Sequence, residues 1–159
     1  MRIEVAVAEE RGAQATGDRA FVKRLGRSCV MASVASLRPA SETDARAAFD
    51  RLCEIVDSQS HAALIARHGG ERVGFLLLLD ELPDEVTLLP QGFVAYMAVE
   101  PSARRTGVGT ALLAAAEDEA RRRGLPYISL MVTEENEAAR RLYQGAGFRT
   151  ERRLLCKPL

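Results

Sequence analysis

The sequence predicts a single mixed α/β domain with the element order β α α β β β α β α β. Three observations carry this expectation. An unbroken apolar run, Val73–Leu79, reads as a strand buried on both faces. Apolar residues recur at three- and four-residue steps after Asp18 and after Ser41, as amphipathic helices require. A strand ending at Val99 then runs through a glycine turn into a strongly patterned helix at Gly107. The 159 residues fit one domain, 1–159, with no internal repeat or linker.

In chain order, Ile3, Val5 and Val7 alternate with Glu4 and small residues and predict a first strand. Gly12 and Gly17 bracket a loop, and Asp18 is the expected N-cap of a helix carrying Phe21, Val22, Leu25, Cys29, Val30 and Val34. Pro39 closes that region. Ser41-Glu42-Thr43-Asp44 reads as a capping box for a helix with Phe49, Leu52, Cys53 and Val56 on its apolar face. Ala62–Arg67 is a strand, and His68-Gly69-Gly70-Glu71 turns it into Val73–Leu79. Asp80–Gln91 is a long connection with a strand extension over Val86–Leu89. Gly92–Val99 is a strand, Gly107–Arg123 a helix, Tyr127–Thr133 a strand and Asn136–Gln144 a helix, and the tail from Phe148 is strand-like.

Twenty-two basic and 22 acidic residues give a formal net charge of zero. That removes the usual electrostatic case for nucleic acid or an anionic membrane as partner. No apolar run approaches a membrane span and no signal-peptide pattern is present, so a cytoplasmic protein is expected. Cys29, Cys53 and Cys156 are odd in number and far apart, which argues against disulfides and against a zinc site. His61 and His68 share no register with them, and no metal is expected.

The informative stretch is Val99-Glu100-Pro101-Ser102-Ala103-Arg104-Arg105-Thr106-Gly107-Val108-Gly109-Thr110. A helix start offers unpaired N–H groups and the positive end of the helix dipole, which together form an anion site. Gly107 and Gly109 would let phosphates approach the backbone, and Arg104 and Arg105 add cationic donors. No Walker lysine follows, and Leu112 stands where a Rossmann fingerprint has its third glycine. A plain strand-to-helix turn with solvated arginines is the competing reading. Behind the turn, Val108, Leu112, Leu113, Ala116 and Ala120 form a buried stripe. Glu117–Arg121, Asp118–Arg122 and Glu119–Arg123 are acid-first i,i+4 pairs expected to mark the solvent face.

Arg104-x-x-Gly107-x-Gly109, after Val99-x-Pro101, resembles the acetyl-CoA loop of the GNAT family of N-acetyltransferases. Asn136-x-x-Ala139-x-x-Leu142-Tyr143-x-x-x-Gly147-Phe148 is similar to that family's second cofactor segment. The resemblance covers Val73–Phe148. It implies a GNAT-like fold whose mixed central sheet, flanked by helices, splays between Gly92–Val99 and Tyr127–Thr133. The pantetheine arm of acetyl-CoA would enter the splay and pair with backbone of Met97, Ala98 and Val99. Amides from Arg104 to Thr110, through Arg105, Thr106, Gly107, Val108 and Gly109, would hold the pyrophosphate. Asn136 would contact the arm or order the splay; it also reads as an N-cap.

The activity so implied is transfer of an acetyl or short acyl group from CoA to a primary amine by direct attack in a ternary complex. That chemistry needs a neutral amine, a stabilised oxyanion and protonation of the leaving thiolate. Tyr143 occupies the position of the family's general acid, and a phenol is protonated at neutral pH. The competing reading is a tyrosine that anchors its helix. The N–H of Val99 or a neighbour is the expected oxyanion donor. Where some family members carry a glutamate base, Leu130-Met131-Val132 supplies Met131, which accepts no proton. Glu134, Glu135, Glu100 and Tyr96 are the other candidates, beside water. Only Arg149–Leu159 follows the second motif, where the family has a two-strand hairpin, so a homodimer partner is expected to complete the acceptor wall. The acceptor, a small-molecule or peptide amine, should be read by Gly17–Ser60 and Asp80–Gln91, whose acidic cluster suits either a cationic amine or plain solvation. The alternatives are a non-catalytic acyl-CoA-binding regulatory module and a dinucleotide or nucleotide-triphosphate protein.

Overall fold

The computed structural model describes residues 2–159. Five strands form one sheet in sequence order: β1 (Glu4–Val7), β2 (His61–His68), β3 (Glu71–Leu79), β4 (Gly92–Val99) and β5 (Ile128–Leu130). The first four pair antiparallel, and β4 and β5 run parallel. The β2–β3 hairpin turns on Gly69 and Gly70, at φ 57° and 85°, as its sequence predicts.

Side chains on β2 and β3 alternate between two cores, one on each face of the sheet. Ile65, Phe75, Leu77 and Leu79 meet α1 (Ala13–Cys29) and α2 (Glu42–Asp57). Leu64, Leu76 and Leu78 meet α3 (Val108–Arg122), with Leu142 and Tyr143 of α4 (Glu137–Gly145) at the margin. Burial of β3 on both faces explains its unbroken apolar run.

The first helix begins earlier than its sequence suggests. Helix α1 starts at Ala13 behind Gly12 and runs through Gly17, so the expected Gly12–Gly17 loop and Asp18 N-cap are both corrected. Asp18 is instead buried on the helix face. Its carboxylate accepts from Arg67 of β2 at 2.5 Å and Arg72 of β3 at 2.6 Å. Two arginines compensate its lost hydration, as a buried charge requires. Nearer the C-terminus of α1, Gly26 lies against the ring of Phe49 on α2.

Helix α2 begins as predicted, with the Ser41 hydroxyl accepting from the Asp44 N–H at 3.0 Å. On α3, Glu117 pairs with Arg121 as expected, but Asp118 also pairs with Arg121 rather than Arg122. Glu119 does not mark the solvent face: it is buried and bonds both Arg122 and Arg123, and Arg123 reaches on to Asp80 at 2.6 Å. Those bonds, the Arg122 one foremost, hold the Glu119 carboxyl down at about 2.

Two expected strand segments are absent. Residues 85–87 form a turn and 88–89 have no regular structure; the Asp84 carboxylate accepts from the N–H and hydroxyl of Thr87, and Leu88 takes φ 59°. The tail beyond Phe148 is exposed and without strand among the described residues, since no neighbour pairs with it. It is tied down by side chains: Arg152 bonds Asp84 at 2.5 Å, and Arg38 donates to Cys156 at 3.3 Å. All three cysteines are free thiols. No helix among the described residues is long and apolar enough to cross a membrane.

Candidate functional site

The sheet opens into a crevice beyond Val94. Pairing between β4 and β5 covers Gly92↔Ile128, Phe93↔Ser129 and Val94↔Leu130, and stops there. The predicted strand to Thr133 is thus shortened to Leu130, because the two chains part. The cause lies on β4. Leu78 faces Val94, but Leu77 faces Tyr96, so Ala95 is an extra residue and β4 bulges there. A bulge bends its strand and raises the local twist. From Tyr96 to Val99, β4 stays paired with β3 on one edge and is open on the other.

The open edge presents backbone donors and acceptors. Glu100 N–H donates to Val73 C=O at 2.8 Å, toward β3. Strand groups alternate, so Val99 directs its N–H and C=O to the crevice. Met97 has the same parity, whereas the backbone of Ala98 faces β3. The three residues expected to hold an extended ligand therefore divide into two that can and one that props them.

The strand ends at Val99, and a short 3-10 turn, Pro101–Ala103, with Glu100 as its N-cap, leads into the glycine turn. Arg105 and Gly107 both take left-handed backbone, at φ 61° and 93°. Gly107 is the N-cap of α3, a conformation that glycine adopts without strain. Thr106 fixes the turn by donating its hydroxyl to Ala103 C=O at 2.6 Å. The N–H groups of Val108, Gly109 and Thr110 then lie in the first turn of α3, where no intrahelical acceptor exists. Val108 is buried as the anchor of that turn. Gly109 has a second reason to be glycine: a Cβ there would lie 2.8 Å from Leu142 of α4. Arg104 turns back toward the crevice, donating to Val99 C=O at 3.3 Å and to the Cys29 sulfur at 3.5 Å. Arg105 is exposed beside the helix start.

Tyr143 is half-buried on α4, edge-on to Phe148 at 5.9 Å. Burial raises its phenol above the ordinary range, and Tyr96 adds to the effect. Asn136 caps α4 by accepting from Ala139 N–H at 3.2 Å, and its amide donates to Ala32 C=O at 3.4 Å. Both expected roles, cap and organiser of the opening, are thus compatible with one position.

Sequence reasoning missed the wall at this end. The segment after α1 docks on the β5–α4 connection through Thr133 to Ser33 C=O at 2.7 Å, and through Ser36 hydroxyl and N–H to the Glu135 carboxylate at 2.5 and 3.1 Å. No local pattern links residues a hundred positions apart. The carboxylates proposed as bases are committed elsewhere: Glu100 to Arg24, Glu134 to Arg140 at 3.5 Å, and Glu135 to Ser36, whose hydroxyl holds that carboxyl low. Met131 is exposed and off the strand.

A splayed β4–β5 pair with a glycine-capped helix behind it defines the acetyltransferase class of α/β domains, and the comparisons agree. The model of the Acetyltransferase (GNAT) family matches residues 31–148, and the chain belongs to that family. An uncharacterized N-acetyltransferase of Bacillus subtilis is 32% identical over 111 residues, 70% of this chain and 72% of that protein. A mycothiol acetyltransferase of Thermobispora bispora is 39% identical over 84 residues, 53% of this chain but only 28% of that longer protein. Among solved structures, a putative acetyl transferase from Pyrococcus furiosus superposes with a TM-score of 0.80 at 24% identity, covering 99% of this chain and 100% of that one. The aminoglycoside acetyltransferase AAC(6')-Iy, in complex with a bisubstrate analog of CoA, gives 0.69 at 22% identity, with coverage of 100% and 99%. At these identities the structural likeness speaks to the fold.

Proposed function

We propose that the chain is an acetyl-CoA-dependent N-acetyltransferase that moves an acetyl or short acyl group to a primary amine by direct attack in a ternary complex. The observation that carries this reading is the open edge of β4 at Met97 and Val99, leading straight into the Gly107-capped start of α3. An edge strand recruits an extended amide-bearing chain, and a helix N-terminus recruits phosphate. The pantetheine arm and pyrophosphate of CoA carry these two groups in that order.

In this reading Met97 and Val99 hold the arm, with Ala98 behind them. The amides from Arg105 to Thr110 hold the pyrophosphate, aided by the Arg105 side chain, whereas the expected Arg104 N–H is turned away and donates to Pro101 C=O at 3.4 Å. Asn136 keeps the crevice open through its hold on Ala32. The Val99 N–H stabilises the developing oxyanion. Tyr143, kept protonated by burial, gives its proton to the departing sulfur. The three free thiols suit a reducing cytoplasm. The outer edge of β5 carries no strand partner among the described residues, which supports a homodimer; light scattering tests that point.

The test of the activity is CoA thiol release from acetyl-CoA across polyamines, amino acids, aminoglycosides and peptide N-termini, with calorimetry for binding. Gly107→Glu should abolish acetyl-CoA binding, since it puts a charged side chain at φ 93° in the anion site. Tyr143→Phe should keep binding and lower kcat by about 10²-fold, the lower range for a general acid. Binding without thiol release for any amine would instead make the chain a regulatory acyl-CoA module. Undiminished binding by Gly107→Glu would refute the placement of the phosphates.

A further inference from the structure

We infer that Tyr96 is a second phenol of the reaction centre, whose oxygen accepts a hydrogen bond from the incoming amine and aims its lone pair at the acyl carbon. The inference rests on the acetyl-transfer reading and assigns the acceptor side of the same site.

The bulge at Ala95 puts Tyr96 where it is. Without an extra residue, alternation along β4 would send Tyr96 to the α3 face with Val94. With it, Tyr96 shares the α1–α2 face with Ala95 and packs in the core there. Its ring is clamped edge-on by Phe49 at 4.9 Å and stacked on Phe75 at 6.1 Å. Both clamping rings are fully buried, so Tyr96 has little freedom. Burial pushes its phenol up, a hydrogen bond from Ser33 works against this and Cys29 adds to it, while Tyr96 in turn raises Tyr143. Tyr96 lies with the core on one face and Tyr143 with the core on the other, and no β4–β5 pairing separates the faces beyond Val94.

The surroundings narrow the role. Glu100, Glu134 and Glu135 each have another partner, leaving Tyr96 as the polar side chain on the crevice stretch of β4. Burial raises its phenol, so it is protonated at neutral pH and is no base. A neutral phenol oxygen can still accept from an N–H while its own proton is shared with a neighbour. Tyr96 is therefore a hydrogen-bonding partner of the amine, and proton removal falls to water. As the N–C bond forms and the C–S bond breaks, the nitrogen gives one proton to water, and the sulfur takes one from Tyr143. Solvent reprotonates Tyr143, leaving an N-acetyl amine and free CoA thiol.

The experiment compares wild type with Tyr96→Phe, which keeps the ring between Phe49 and Phe75 and removes only the hydroxyl. The expected result is a fall of about tenfold in kcat/KM for the amine, the upper range for one neutral hydrogen bond. The KM for acetyl-CoA and the thermal midpoint should be unchanged. Ser33→Ala should shift the amine kinetics in the same direction by less. Tyr96→Phe within twofold of wild type for every accepted amine would overturn the inference and leave the activity standing. So would a matching loss of acetyl-CoA affinity, which would make Tyr96 a prop of the donor site. A wild type that releases no CoA with any amine would overturn both readings together.

Discussion

Gly26→Ala is the substitution in which fold and site are most directly coupled. A Cβ built at Gly26 lies 1.9 Å from Cζ of Phe49, and 2.3 and 2.6 Å from Cε1 and Cε2. These distances are far inside any real contact, so the ring would have to retreat by roughly 1 Å or withdraw α1 from α2. Phe49 is 2% exposed and has no outward path. Its other side is Tyr96, which is itself backed by Phe75. Overpacking a close-fitted core costs about 1–3 kcal/mol, and a rigid aromatic neighbour favours the upper end. Alanine recovers up to about 1 kcal/mol through its better helix propensity. The net loss is about 2 kcal/mol, or a Tm lower by about 4–8 °C for a domain of this size. Thermal and urea denaturation measure it. The double variant Gly26→Ala/Phe49→Leu should recover part of the loss, because the two positions share one space. A Gly26→Ala protein as stable as wild type, or more so, would refute this account of the α1–α2 contact. Its amine kinetics should worsen along with stability, since the displaced ring leans on Tyr96.

Asp18→Ala should cost about 3 kcal/mol, the low end for breaking a buried ion pair, because Arg67 and Arg72 keep some solvent contact. Urea unfolding checks it, and a loss below about 0.5 kcal/mol, as expected of a surface change, would contradict a structural role for Asp18. Acid should destabilise the fold partly through Glu119. Its folded pKa is about 2 against 4.5 for the free side chain, so the unfolded chain binds the proton first. The stabilisation is complete above about 4.5 and fades as pH falls toward about 2. Glu119→Gln should flatten the stability–pH curve in that window, and an unchanged slope there would be inconsistent with the Arg122 and Arg123 bonds.

Features set by local chemistry were legible before any coordinates. The Gly69-Gly70 hairpin, the Ser41 cap, the span Gly92–Val99 and the glycine start of α3 each depend on a few adjacent residues. Features set by distant partners were not. Asp18 looked like a cap because it precedes an apolar pattern; only Arg67 and Arg72, across the fold, reveal its use. Glu119 has the same i,i+4 spacing as exposed Glu–Arg pairs, and its burial depends on Asp80 and Arg123. Val86–Leu89 and the tail had strand-like composition, yet propensity yields no strand without a neighbour to pair with. In the candidate site, Gly107 was legible from the strand–turn–helix pattern and Asn136 and Tyr143 from the family resemblance, while the docked Ser33–Ser36 segment and the bulge were invisible to both.

The bulge at Ala95 also makes β4 a strand with two reading frames. Before it, Phe93 and Val94 obey one odd–even rule; after it, Met97 and Val99 follow the opposite one. A one-residue deletion in this stretch would not merely shorten the strand. It would move each downstream side chain to the other side of the sheet and reverse which carbonyls look outward. The segment is thus intolerant of changes in count, since both its outward backbone groups and the face on which Tyr96 lies depend on the one extra residue.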